Sequence, residues 1–328
     1  MTLLAAFWLA GCRSAPDVHT DALTDTGWFV DTDTDVATAC PDRLTQTVPV
    51  DGQTGWYARD AFVVGTTTSG GPTYATVLRS AAGVEVPVTT TWDGPRWTVT
   101  PVAPLAAATA YSWTITDCEG PHTVGFVTSA FGAPLTDGPA SLVRRTYAVD
   151  LSRATWREPK GFGTILSLYF TSPLLVGVQW ADARMVDLMG AMGGRLSSGD
   201  IAQDLAEPTW DLPLASFAES PWFFASSDQL RLVVSDAPLT VYDFTLEGTF
   251  AADGSAIGGV RLRGQGDTRE LGTLINQPDD PKAICRLAAS VGAVCGACPD
   301  GEVTCLTLDA TGLQADQVPG LVLTPVAE

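Results

Sequence analysis

Cysteine is the residue type best placed to do chemistry in this 328-residue chain, which holds seven: Cys12, Cys40, Cys118, Cys285, Cys295, Cys298 and Cys305. Cys12 stands apart. Residues 3–10 before it are apolar, too few for the ~20 residues that span a bilayer but the right size for the apolar region of an export signal. Export places the remaining six cysteines in an oxidising compartment, where an even number implies three disulfides. Cys40 with Cys118 would staple the chain before the first strand to a late one. The C-terminal four allow three pairings, of which Cys285–Cys295 with Cys298–Cys305 is favoured. Cys295-Gly-Ala-Cys298 has the spacing of a redox motif. That chemistry needs the motif to open a helix after a strand, whereas here it follows a helix and enters the turn Pro299-Asp300-Gly301. A Cys₄ zinc site is the other use of these residues, and oxidising export favours disulfides over it. No metal or other cofactor is expected.

Other catalytic constellations find little support. There are two histidines, His19 and His122, so residues 123–328 lack imidazole chemistry altogether. No Gly-x-Ser-x-Gly elbow, Walker loop or His-Glu-x-x-His occurs. His122 follows Pro121 at a turn and reads as a surface residue. Carboxylates are numerous, but no pair stands out for acid–base work. Asp243 and Glu247 share a strand face and look solvated, while Asp253 and Asp267 sit by turns, where Asp bonds local backbone. Asp31-Thr-Asp33-Thr-Asp35 alternates like a calcium loop but lacks the Gly and the closing Glu of an EF-hand. No catalytic residue is assigned.

Leu9-Ala10-Gly11-Cys12 resembles the bacterial lipoprotein box. The resemblance implies a signal peptide over residues 1–11, cleavage before Cys12, and a diacylglycerol on its sulfur that anchors the chain to a membrane. Arg13, rather than Asp, follows the cysteine, which resembles the sorting signal for the outer membrane of the cell envelope. Residues 12–41 then read as a disordered tether. Asp17, Asp21, Asp25, Asp31, Asp33 and Asp35 meet no Lys or Arg after Arg13, and self-repulsion extends such a chain. The whole chain carries 18 bases against 37 acids, net −19. That field repels phosphate, so no nucleic acid partner is expected.

The elements that must carry these residues are mainly β. Over 42–133, short runs with period-two alternation recur between turn signals: Tyr74–Ser80, Val84–Trp92, Arg96–Val102, Ala110–Cys118 and His122–Ser129. Trp97 and Val99 share one face, as do Tyr111, Trp113 and Ile115. The stretch Pro101-Val-Ala-Pro104-Leu105, continued by Thr109-Ala-Tyr111-Ser-Trp113 and closed by Gly125-Phe126-Val127-Thr128-Ser129, resembles the SbsA-type bacterial Ig-like domain. The resemblance implies a β-sandwich in which Tyr111 is a tyrosine corner, its hydroxyl bonding upstream backbone. Such domains serve as spacers or adhesive modules. Trp56, Trp92, Trp97 and Trp113 read as packing rather than as a sugar platform.

Asp137-Gly138-Pro139 marks a linker, and residues 139–328 read as a second β-rich, disulfide-containing domain with one or two short helices. Strands are expected at Thr146–Leu151, Arg184–Met192, Leu230–Val234, Thr240–Phe250, Val260–Gly264, Thr304–Leu308 and Leu321–Thr324. Tyr242, Phe244, Leu246 and Phe250 are expected on one face of Thr240–Phe250. Asp253-Gly254 signals a hairpin turn. A plain two-residue turn would set Leu246 against Arg261, so one extra residue is expected at Gly258-Gly259, placing Leu246 opposite Leu262 and Glu247 opposite Arg261. Residues 161–181 carry no formal charge. Pro173 and the glycines argue against a membrane span, and a helix or loop over 163–171 followed by a buried strand over 174–180 fits better. A helix is expected over 280–292, capped by Asp280, with Pro281 in its first turn and Gly292 at its stop.

These observations describe a non-enzymatic envelope lipoprotein whose folded part serves adhesion, structure or recognition of a protein or glycan partner. A carrier of lipid or another apolar small molecule, its cavity lined by residues 162–180 and the face of Tyr242 and Phe244, is the alternative. A carboxylate hydrolase is the third reading.

Overall fold

Period-two alternation of apolar and polar residues makes strands of most of the chain. The computed structural model describes residues 43–67 and 74–327; the signal, Cys12, the tether and Cys40 lie outside them. Residues from Cys40 onward cluster as one compact unit. Within it a two-sheet sandwich is followed by a closed barrel.

The first sheet of the sandwich orders Leu44–Val48, Phe62–Thr66, Arg96–Pro101 and Val88–Asp93. The second orders Gln53–Trp56, Gly120–Thr128, Ala110–Asp117, Ala75–Ser80 and Glu85–Val86. Phe62 and Trp113 are wholly buried between the sheets, their rings 4.9 Å apart, and Trp97, Tyr111 and Phe126 join the same core. The run 84–92 is not one strand. Pro87 cannot donate to a ladder, and the chain changes sheets there: Glu85–Val86 pairs with Ala75–Ser80, while Val88–Asp93 pairs with Arg96–Pro101.

Tyr111 makes the expected corner. Its hydroxyl accepts the Ala106 amide at 2.9 Å, and Thr128 Oγ1 donates to the Ala106 carbonyl at 2.7 Å. The loop before the strand is therefore held from two sides. A Tyr111→Phe chain leaves that amide unpaired in a part-buried site and is expected to lose about 1–2 kcal/mol of stability. Denaturant midpoints of the two chains check this.

The remaining strands form an eleven-stranded sheet. Eight of them close a ring: Thr146–Val149, Leu174–Ala181, Met185–Arg195, Trp210–Ser216, Trp222–Val234, Ala237–Phe250, Ala256–Asp267 and Val303–Gln317, which pairs back to Thr146–Val149. Every neighbouring pair is antiparallel, and closure leaves no open edge in the ring. The inside is filled by side chains. Phe250 lies 5.4 Å from Tyr147, 5.9 Å from Phe217 and 5.2 Å from Phe223, all four fully buried. The Tyr147 hydroxyl donates to the Gly254 carbonyl at 2.8 Å.

The uncharged run is explained by burial on both faces. Leu174, Val176 and Val178 join the barrel core. Leu175 points the other way, into a separate cluster with Met189, Ala191 and Leu323. Residues 321–324 are thus a cover strapped over the outer face, not a strand; Gln203 holds them, its Nε2 donating to the Thr324 carbonyl at 2.7 Å. Phe162, Leu166 and Phe170, around the short helix Gly163–Ser167, pack on the barrel core. Among the described residues, no helix is long and apolar enough to cross a membrane.

The hairpin register is as expected: Leu246 faces Leu262, Glu247 faces Arg261, and the return strand carries an extra residue next to Gly258. One face assignment is different. The register also shifts between Tyr242 and Thr245, where Asp243 sits at φ +49°. This bulge reverses the alternation, so Val241 is buried with Phe244 and Leu246, and Tyr242 turns outward. The helix near the C-terminus is shorter than expected, Ala283–Ser290. Asp280 accepts the Lys282 amide at 3.0 Å and pairs with Arg286, so it braces the turn ahead of the helix instead of capping it. Gly292, at φ +88°, follows as the stop.

Candidate functional site

Cys285 is bonded to Cys295 and Cys298 to Cys305. The two sulfurs of Cys295-Gly-Ala-Cys298 therefore belong to different bridges, one tying the helix to the loop, the other closing the loop onto strand Val303–Gln317. Cys118 is disulfide-bonded as well; its expected partner Cys40, like Cys12, is outside the described residues. Of the singled-out carboxylates, Asp243 is exposed on its bulge. Asp253 accepts the Ser255 amide, and its bonds to Ser255 hold it below the usual carboxylate range. Asp267 is buried and ion-paired with Arg269.

His122 is not a lone surface residue. Its Nε2 lies 3.1 Å from Asp117 Oδ1, which also accepts the Glu119 and Gly120 amides. Burial pushes the Asp117 carboxyl up, but these bonds outweigh it and hold the group below its ordinary value. Glu119 pairs with Arg43 at 2.8 Å. The hairpin turn folds Asp117 onto His122 five residues on, and only Arg43 comes from a distant part of the chain.

The larger site lies between sandwich and barrel. Two aromatic rings of the sandwich side rest on the bare backbone of the hairpin bulge. A Cβ on Gly258 would stand 2.3 Å from Phe131 Cδ2, and one on Gly259 would stand 2.1 Å from Tyr57 Cζ. Gly259 has φ +59° as well. The Tyr57 hydroxyl and Thr249 Oγ1 are 2.6 Å apart, and burial pushes the Tyr57 phenol up to about 12. Arg59 reaches across to Glu219 at 2.5 Å and stacks 4.3 Å above the Trp222 ring. Glycine is required here for close approach, and a phenol with its hydroxyl bonded can bury its ring.

Beside this contact opens a cleft of about 360 Å³, lined among others by Trp56, Asp60, Ser129, Arg157, Glu247 and Arg261. Its charges are unevenly committed. Arg261 holds Asp309 in a two-point ion pair, with Nε 2.7 Å from Oδ1. Glu247 pairs with Arg263 at 3.2 Å. Arg157 has no ion pair within 4.0 Å among the described residues. Burial pushes the Asp60 carboxyl up; Arg157 and Arg261 oppose the shift and Glu247 adds to it. Two residues that line the same cleft, Trp56 and Ser129, each carry a buried polar atom, Nε1 and Oγ, with no hydrogen-bond partner among the described residues. Such groups cost free energy until something bonds them. Glu247 was legible as a strand carboxylate; Asp60, Arg157, Ser129 and Tyr57 were not, because three parts of the chain far apart in sequence supply them.

The fold and site define a mainly β protein in which a sandwich and a closed barrel share one polar cleft. No protein-family model and no curated protein matches the chain. Among solved structures, CopC from Methylosinus trichosporium OB3b is similar to 27% of this chain, over 93% of its own length, with 13% identity and a TM-score of 0.23. Domains 1–6 of the surface layer protein SbsC match over 88% of this chain, with 10% identity and a TM-score of 0.20. The match spans about half, 54%, of the SbsC chain. Likenesses of this size carry no functional argument.

Proposed function

We propose that the chain is a cell-envelope lipoprotein, anchored through a diacylglycerol on Cys12, that presents a non-enzymatic recognition module to a surface partner. The lipobox-like Leu9-Ala10-Gly11-Cys12 and the acidic stretch after it support the anchor and the spacer. The Tyr111 corner supports an Ig-like identity for the sandwich. One observation carries the recognition role: the barrel is filled by Tyr147, Phe217, Phe223 and Phe250. A partner therefore meets the outer surface, where the polar cleft lies.

Two measurements test this. In fractionated bacteria, wild-type chain is expected with the outer membrane and Cys12→Ser chain in the soluble fraction; a Cys12→Ser chain that stays with the membrane refutes the anchor. Purified Cys12→Ser chain is expected to cosediment with isolated envelopes, and its failure to do so refutes the recognition role. A second reading rests on two carboxylates, Asp60 and Glu247, that line the same cleft, with burial pushing the Asp60 carboxyl up. A carboxylic acid beside a carboxylate is the pair that cleaves glycosidic bonds. Oligosaccharide turnover that Asp60→Asn abolishes would select this reading.

A further inference from the structure

We propose that the cleft between sandwich and barrel binds a carboxylate-bearing carbohydrate, a short oligosaccharide of uronic-acid type. The inference rests on the recognition reading and names its ligand. Arg157 takes the sugar carboxylate; Asp60, Ser129 Oγ and Trp56 Nε1 take hydroxyls.

Three observations converge. First, the chain carries net −19, yet the cleft is lined by Arg59, Arg157 and Arg261 against Asp60 and Glu247. Arg59, Arg261 and Glu247 are committed to Glu219, Asp309 and Arg263. Among the described residues that line the cleft, Arg157 is the cation outside an ion pair, and guanidinium matches a carboxylate in a two-point bond. Second, Trp56 is 7% exposed, and among the described residues its indole N–H has no hydrogen-bond partner, nor has the Ser129 hydroxyl. One is a donor only and the other can donate or accept. Asp60 adds an acceptor that burial keeps from full hydration. A ligand that answers all of them presents several hydroxyls in a small volume, which is the chemistry of sugars. Third, at about 360 Å³ the cleft lies inside the range of small-ligand sites, roughly 300–1,000 Å³. An apolar ligand would leave the polar groups unpaired.

The test is isothermal titration of the full chain, Cys12→Ser for solubility, with trigalacturonate and with neutral maltotriose. Trigalacturonate is expected to bind saturably and maltotriose about tenfold more weakly or worse, the size of one lost charged hydrogen bond. Arg157→Gln is expected to remove that preference, and Ser129→Ala to weaken both sugars. Unfolding midpoints of both variants, measured alongside, confirm that the chains are folded; Arg157 is exposed, so its variant is expected to match wild type. Equal binding of the two sugars, or trigalacturonate binding unchanged by Arg157→Gln, overturns the inference. So does the absence of binding by either sugar. If envelope cosedimentation persists in that case, the sugar site falls and the recognition reading stands; if it too is lost, both fall.

Discussion

A Gly259→Val chain is expected to lose about 2–4 kcal/mol of stability and to undock its sandwich from its barrel. Two costs combine. Gly259 sits at φ +59°, a region β-branched residues strongly resist. A Cβ there would also stand 2.1 Å from Tyr57 Cζ, so the phenol ring must leave the bulge. With the ring goes the contact between its hydroxyl and Thr249, and Arg59 loses its fixed seat above Trp222. Wild-type chain is expected to unfold in urea in one transition, and Gly259→Val in two. Limited proteolysis should open the variant over 132–138 while wild type resists. A Tyr57→Ala background separates the two costs: with the ring gone, only the backbone strain remains, so the second substitution should be cheaper there by about 1–2 kcal/mol. Equal cost in both backgrounds would mean that Tyr57 does not dock on Gly259.

The same glycines show how far local sequence reaches. The mismatch of Leu246 with Arg261 was enough to place an extra residue beside Gly258, because a register slip turns every side chain to the wrong face. Nothing local announced that the bulge is also a platform for Tyr57 and Phe131, which are distant in sequence. Alternation locates the strands around Trp97, Tyr111 and Thr240–Phe250, but it cannot foresee Asp243 at positive φ, which turns Tyr242 outward and buries Val241. Pro87 was visible, yet an alternating pattern continues through it; only the sandwich shows that one run serves two sheets. The apolar segment 174–178 was legible as buried, though not that residues 321–324 return to cover its outer face. Closure of the barrel depends on the pairing of Thr146–Val149 with Val303–Gln317, far beyond any local window. The cleft was the least legible feature. Asp60, Ser129 and Arg157 belong to turns and edges that carry no binding motif of their own, and only the docking of two cores makes them neighbours.

Phe250→Ala is expected to cost about 3–5 kcal/mol, the range for truncating a buried phenylalanine in a core that cannot collapse. The size of the loss decides between a filled barrel and a carrier of apolar ligands. Phe250 is fully buried and touches the rings of Tyr147, Phe217 and Phe223. The Tyr147 hydroxyl is held by the Gly254 carbonyl at the hairpin that Phe250 leads into. Tyr147, Phe223 and Phe250 hang on paired strands of a closed ring and Phe217 directly follows one, so their backbones cannot move inward to fill the void. A carrier behaves differently. Its cavity already lacks partner atoms on one side of each lining ring, so removing one ring forfeits fewer contacts, and the loss should stay under about 2 kcal/mol. Urea midpoints with unchanged slopes measure the difference. Benzene supplies the second readout. A void left by Phe250→Ala would be dry and apolar, the kind of site that takes up such a molecule, so benzene is expected to raise the midpoint of the variant and leave wild type unmoved. Benzene that stabilises wild type as well would show a pre-existing apolar space inside the barrel, and the partner would then have to be sought there instead of at the surface.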